Sequence, residues 1–251
     1  MHVVISDKYN LMVFYSGKCG CTTIKKIMEA LDKDIYFCCG YSELKIYNKS
    51  HNLDIYKKIA IIRSPYDKFL SAFFHRLIKV SQKVYEKYIL TLPLEQQTFN
   101  GFLENLNKFE NIYEKTTNTD NIYNEVHIIP QLSQVYYYFK DQNWSFDTIY
   151  DIKNINEFIK FINNQYSLYL DESTHLNPGT SNSLKNNNSI VIATKSKKIL
   201  NKNHNNYNNI HYKLLTRFMY KNFKLSEQNK IIIRNLYEND FIQFKEWGFN
   251  Y

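Results

Sequence analysis

The sequence predicts an α/β domain with a mostly parallel central sheet, and three observations carry that prediction. Two short runs, Leu11–Tyr15 and Ile59–Ile62, are apolar at every position, as expected of strands covered on both faces of a parallel sheet. Each run leads into a turn and then a helical pattern; Thr22–Leu31 places Ile24, Ile27, Met28 and Leu31 at helical spacing. Strands and helices that alternate in this way favour helices packed on a parallel sheet.

The elements follow in chain order. Val3–Ile5 and Leu11–Tyr15, separated by a polar segment, read as a hairpin or two adjacent strands. Residues 16–21 form a polar, glycine-containing turn before the Thr22–Leu31 helix. Ile59–Ile62 ends at Arg63, where Ser64 serves as a helix N-cap and Pro65 takes the first helical position. That helix is predicted to reach about Val80. Residues 84–118 read as further helix with a turn near Pro93, and another helix starts around Pro130 and continues through Leu132–Phe139. Thr148–Ile152 reads as a strand, Ile155–Ile162 as a helix, and Ser226 caps a final helix to about Phe244. Residues 177–211 are dominated by Asn, Ser and Lys and read as an extended loop, with Ser189–Thr194 as a strand inside it. No repeat is visible, and 251 residues suit a single domain over 1–251 with an Asn/Lys-rich basic insert at about 177–211.

Composition narrows the function classes. At 44% hydrophobic and 22% charged the chain is globular, which excludes disordered and collagen-like classes. The net charge of +8 points to an anionic partner. Residues 176–230 alone hold ten Lys/Arg and one acid, Glu227, a net +9, and leave the remainder at −1. Four cysteines (Cys19, Cys21, Cys38, Cys39) fit neither a disulfide framework nor a zinc site, so a reducing compartment and no metal are expected. Neither a signal peptide nor a membrane anchor is visible, and a soluble, cytoplasmic or otherwise intracellular protein is the expectation.

The chemistry-bearing residues fall in two places. Gly17-Lys18-Cys19-Gly20-Cys21-Thr22-Thr23 lies between a strand and a helix. Backbone N–H groups and the helix dipole converge there on an anion, Lys18 adds a point charge, and Thr22 and Thr23 add hydroxyls. A Walker A loop needs G-x-x-x-x-G-K followed by Ser or Thr as a magnesium ligand. Here Cys19 follows Lys18, so the loop suits a phosphate-like group without that ligand; an ordinary strand-to-helix turn is the plain alternative. Arg63 stands beyond the carboxyl end of Ile59–Ile62, where ligands sit in open α/β sheets. With Ser71 on the following helix it forms a candidate second phosphate grip, and His75 shares the face of Ser71.

These segments resemble a known family. Lys18-Cys19-Gly20-Cys21-Thr22-Thr23-Ile24-Lys25 is similar to the 5′-phosphosulfate loop of sulfotransferases. Arg63-Ser64-Pro65-Tyr66-Asp67-Lys68-Phe69-Leu70-Ser71-Ala72-Phe73 is similar to their 3′-phosphate motif, R-D/N-P-x-x-R-x-x-S-A-F/Y. The carbohydrate branch of sulfotransferase family 2, with the HNK-1 and chondroitin/dermatan 4-O enzymes, offers three more likenesses. Glu125–Gln131 resembles its H-W-x-P-Q element, Asp147–Phe158 its D-F-I-G-K stretch, and Leu236–Phe244 its closing Y-x-x-D-F-x-x-F. Departures are Ser16 for Pro, Ser64 for Asp, Lys68 for Arg, a short interval from Lys18 to Arg63, and an enlarged 177–211 region. The luminal relatives are membrane-anchored.

The resemblance implies a P-loop NTPase-like three-layer domain that moves a sulfuryl group from 3′-phosphoadenosine-5′-phosphosulfate (PAPS) to a hydroxyl or amine acceptor, with a carbohydrate as the expected acceptor and no metal required. Gly17, Lys18, Cys19, Gly20, Cys21, Thr22, Thr23, Arg63 and Ser71 would hold the nucleotide, and Lys18 would neutralise the departing phosphate. For the general base His127 comes first, with His51, Glu43 and His75 as alternatives, and Gln131 is a candidate acceptor contact. Competing readings are a P-loop kinase or NTPase, and a non-catalytic polyanion- or nucleic-acid-binding protein that uses 176–230. Nucleic acid is disfavoured, because only charge and aromatic content speak for it.

Overall fold

The computed structural model describes residues 2–72, 103, 130–132, 134–170 and 225–251. β1 (His2–Ser6) and β2 (Leu11–Tyr15) form an antiparallel hairpin with His2 opposite Tyr15 and Ser6 opposite Leu11. The turn is too short for anything else: parallel pairing needs a crossover of a dozen residues or more. β3 (Tyr36–Cys38) pairs antiparallel with β1, while β4 (Lys57–Ile62) runs parallel to β2 and β5 (Thr148–Asp151) parallel to β4. The sheet order is β3-β1-β2-β4-β5. Four strands therefore share a direction and β1 alone opposes them, so the expected mostly parallel sheet carries one reversal.

The helices are α1 (Cys21–Leu31), α2 (Tyr41–Ser50), α3 (Pro65–Ala72), α4 (Gln134–Asp141), α5 (Ile155–Tyr166), α6 (Glu227–Leu236) and α7 (Glu238–Glu246). Every residue of β2 is buried because both sheet faces are covered. On one face Val4, Leu11, Val13, Tyr15, Ile59 and Ile61 meet Ile24, Ile27, Met28 and Leu31 of α1 and Phe158, Ile159 and Ile162 of α5. On the other, Val3, Ile5, Met12, Phe14, Ala60 and Ile62 meet Leu44 and Tyr47 of α2, Tyr136, Tyr138 and Phe139 of α4, and Phe244 of α7. The sheet is thus a middle layer, and each buried aliphatic or aromatic side chain contributes about 1.5–3 kcal/mol.

The chain divides into two units. One comprises Met1–Lys68, Glu125–Asn177 and Leu236–Tyr251; the other comprises Phe69–Asn124 and Pro178–Asn235. The first holds all five of the described strands. The division falls inside α3, between Lys68 and Phe69.

Several elements differ from the sequence reading. The helix expected from Pro130 runs over Gln134–Asp141, and before it the N–H groups of Gln131 and Leu132 donate to the Asp240 carboxylate. The final helix is two, α6 and α7, divided at the fully buried Tyr237; Ser226 does cap α6, its Oγ accepting the Asn229 N–H at 3.2 Å. β5 stops at Asp151, where Ile152 enters a 3-10 turn. The segments read as helix at 73–80, helix at 84–118 and strand at 189–194 lie outside the described residues, apart from Leu103, which is helical and buried. Most of the basic stretch 176–230 lies outside them too. No helix among the described residues is long and apolar enough to cross a membrane.

Candidate functional site

The parallel strands β2 and β4 end side by side, Tyr15 opposite Ile61, and their next residues build the site. After Tyr15 the chain turns tightly: the Cys19 N–H donates to the Ser16 carbonyl at 3.1 Å, and Lys18 and Gly20 adopt left-handed φ values of 68° and 76°. Two left-handed residues in one turn redirect successive amides toward the start of α1. That helix starts from Gly20, with no side-chain cap bond and no acidic residue in its first turn, so its dipole there is not offset by a carboxylate of the helix itself. Gly17 and Cys19 are buried, Lys18, Gly20, Cys21 and Thr23 are half-buried, and Thr22 is exposed.

Arg63, just past β4, joins this loop directly. Its Nη1 donates to the Lys18 carbonyl at 2.7 Å. Ser64 follows as the N-cap of α3, its carbonyl accepting the Lys68 N–H at 2.9 Å, with Pro65 in the first helical position. Ser71 lies on α3, half-buried, beyond the unit division.

Gln131 proves to be an internal brace. Its Oε1 accepts the Arg63 N–H at 3.0 Å and the Cys19 thiol at 3.0 Å, while its Nε2 donates to the Arg63 carbonyl at 2.7 Å. The side chain is wholly buried. Both ends of the carboxamide are therefore engaged inside the protein, where the sequence reading offered them to an acceptor.

Burial dominates the electrostatics behind the loop. Lys68 and Asp240 are both fully buried. Burial pulls the Lys68 ammonium down to about 8, against the opposing pull of Cys19 and Asp240. Its Nζ also lies 5.5 Å from the centre of the Tyr237 ring. Burial pushes the Asp240 carboxyl up to about 6, although the Gln131 and Leu132 N–H groups and Lys68 all favour its charged form. The folded value exceeds the ordinary 3.8, so the folded state holds the proton more tightly. Asp240's contribution to stability is complete below about 3.8 and is lost as pH rises through about 6. Thermal denaturation of wild type and Asp240→Asn across that window is expected to show the variant gaining on the wild type as pH rises.

The thiols are graded in the same way. Burial pushes Cys19 and Cys38 up to about 12, so both stay protonated. Cys39 is exposed. Iodoacetamide labelling read by mass spectrometry is expected to modify Cys39 first and to reach Cys19 and Cys38 only on unfolding; labelling of Cys19 at the rate of Cys39 would contradict this packing.

The candidate bases separate by strand polarity. Cys38 pairs with Val3, which faces Phe14, so the residues after β3 emerge at the loop edge of the sheet. Glu43 is among them, exposed and accepting the Cys39 N–H at 2.6 Å. His51 is not. It follows α2 at the opposite edge, stacked on Tyr47 at 4.0 Å with Nε2 at 3.7 Å from Asp7. That edge is a strand length away, roughly 13–17 Å. The short connection from α2 into β4 places it there. His75 and His127 lie outside the described residues. Sequence reasoning passed over His2, which faces Tyr15 across the hairpin with ring centres 5.7 Å apart and so stands at the loop edge. Hairpin register was the signal for it. Among the described residues no group of three or more His, Cys, Asp or Glu could hold a metal ion.

The chain matches the family model described as "Sulfotransferase family" over residues 1–245. No curated protein and no solved structure matches it.

Proposed function

Since the chain belongs to the sulfotransferase family, a transferase of sulfuryl groups, we propose that it uses PAPS as donor and a hydroxyl, most readily of a carbohydrate, as acceptor, with residues 1–251 acting as one P-loop-like sulfotransferase domain. One observation carries this reading. An uncapped helix start, a loop with two left-handed residues and the Arg63 guanidinium are locked together at the Lys18 carbonyl. An anion-binding turn and a forked cation so joined match a nucleotide that bears phosphate on both sides of its ribose.

In this reading Gly17, Lys18, Cys19, Gly20, Cys21, Thr22 and Thr23 bind the phosphosulfate end, and Arg63 binds the 3′-phosphate. The loop amides and Lys18 neutralise the negative charge that grows on the bridging phosphate oxygen as the sulfuryl group leaves. The Glu43 carboxylate at the loop edge, or the His127 imidazole, takes the acceptor proton. The carbohydrate acceptor is supported by the likeness of the 125–131 and 236–244 segments to the carbohydrate branch.

Transfer of labelled sulfate from PAPS to a panel of glycans and phenols tests the activity. Glycan sulfation above the phenol background is expected, and its absence with every acceptor would remove the carbohydrate reading. For the base, Glu43→Gln and His127→Ala are to be compared: the variant that loses about 10²–10⁴-fold in kcat while keeping nucleotide affinity identifies it.

A further inference from the structure

A buried carboxylate, Asp240, is linked to the loop and Arg63 through Gln131. Asp240 stands in the first turn of α7 and is wholly buried. Its Oδ2 accepts the Gln131 N–H at 2.8 Å and its Oδ1 the Leu132 N–H at 2.9 Å. Two consecutive amides on one carboxylate fix that stretch of backbone and, with it, the direction in which the Gln131 side chain leaves. The side chain then reaches the end of β4. There the parallel register of β2 and β4 stops at Tyr15 and Ile61, because the chain turns away at Ser16. Gln131 gives Arg63 one bond to its N–H and one to its carbonyl, as a neighbouring strand would, and its Oε1 also takes the Cys19 thiol.

We propose that Asp240 is a positioning residue for nucleotide binding: by fixing the 131–132 backbone it aims Gln131, which in turn fixes Arg63 and the 16–20 loop in the arrangement that receives the donor. This rests on the reading of that loop as the donor site. A purely structural role fits poorly, because a buried ionised carboxylate is a costly way to hold a chain together. In a helix begun at Pro130 these amides would be first-turn donors, which water or a neutral cap can satisfy. What the carboxylate supplies is a fixed 131–132 backbone from which the Gln131 side chain reaches Arg63. The raised titration of Asp240 agrees, since the folded protein keeps this group against its own stability.

The test uses the product nucleotide, 3′-phosphoadenosine-5′-phosphate (PAP), titrated calorimetrically into the full chain at pH 7.5. Wild type, Asp240→Asn, Gln131→Met and the double variant are compared, with melting temperature measured alongside. Asp240→Asn puts an amide N–H₂ against a backbone N–H. It is expected to lower PAP affinity about tenfold or more in a chain that still melts cooperatively, at a temperature lowered by the unsatisfied buried amide. Gln131→Met, which cuts the link beyond Asp240, should show a similar loss. Because Asp240 acts through Gln131, the double variant should bind within about twofold of Gln131→Met alone. Wild-type affinity in either single variant, or losses that add, would overturn the proposal. Should Asp240→Asn fail to fold, Gln131→Met decides: a folded variant with a tenfold loss supports the relay, and one with wild-type affinity sinks it. Failure of the wild type to bind PAP would instead count against the donor reading.

Discussion

Lys18→Ala is expected to lower turnover by about 10²–10³-fold, the usual effect of removing one group that stabilises charge in the transition state. The loss should fall on kcat more than on stability. The loop around Lys18 is held through its main-chain carbonyls, Ser16 accepting the Cys19 N–H and Lys18 accepting Arg63 Nη1, and truncating the Lys18 side chain leaves both bonds in place. Alanine also meets the same left-handed φ of 68° that lysine already tolerates. Lys18→Arg keeps the charge but replaces a compact ammonium by a planar fork, so only part of the rate should return. Steady-state kinetics with PAPS, with circular dichroism as a folding check, reads both effects.

Gly20→Ala is expected to destabilise the chain by about 2–4 kcal/mol, the sum of a left-handed non-glycine residue and an overpacked contact. Gly20 sits at φ 76°, and a Cβ there would land on Ile152 Cδ1 and lie 3.1 Å from Ile152 Cγ1. Ile152 belongs to the 3-10 turn after β5 and packs, half-buried, against the α1 face of the core, so its side chain must rotate away from that packing. Nucleotide affinity should fall as well, since the loop amides shift with the clash. Gly40→Ala is the matched control: its backbone is extended, φ −157°, with nothing within 4 Å of an added Cβ. Urea denaturation of the two variants should separate them clearly, and equal midpoints would contradict the close packing of the loop on Ile152.

The parts of the fold that were legible are those where one physical signal dominates. β2 was read with its observed limits because a strand buried on both faces must be apolar throughout. α1 and the start of α3 were read because helical apolar spacing, and a Ser-Pro entry, act locally. β3 and α2 were not read. β3 is three residues long with an exposed Tyr36, and α2 exposes Ile46 while burying Leu44 and Tyr47 among polar neighbours. Pairing with β1 and packing on the sheet hold these elements, and neither shows in a local window. The same reason hides the role of Asp240: its partners, Gln131 and Leu132, are remote in sequence, and the bonds go to backbone groups that carry no side-chain signature.

At the site, the loop and Arg63 were legible because phosphate chemistry requires particular residue types at a strand end. Which histidine or carboxylate shares that end was not, because it depends on strand polarity. Reversal of β1 sends β3 back to the loop edge with Glu43 behind it, while His51 is left at the far edge. The basic excess at 176–230 belongs to neither list: the residues that build the loop come from the part of the chain whose net charge is −1.

The most direct measurement of the central claim is a thermal-shift titration with PAP on wild type, Lys18→Ala and Arg63→Ala. A ligand at 100 times its dissociation constant stabilises the folded state by about 2.7 kcal/mol, a readily resolved shift. The predicted result is dose-dependent stabilisation of the wild type, weakened by Lys18→Ala and largely lost in Arg63→Ala. No stabilisation of the wild type by PAP, or a larger shift from ATP with Mg²⁺, would contradict it.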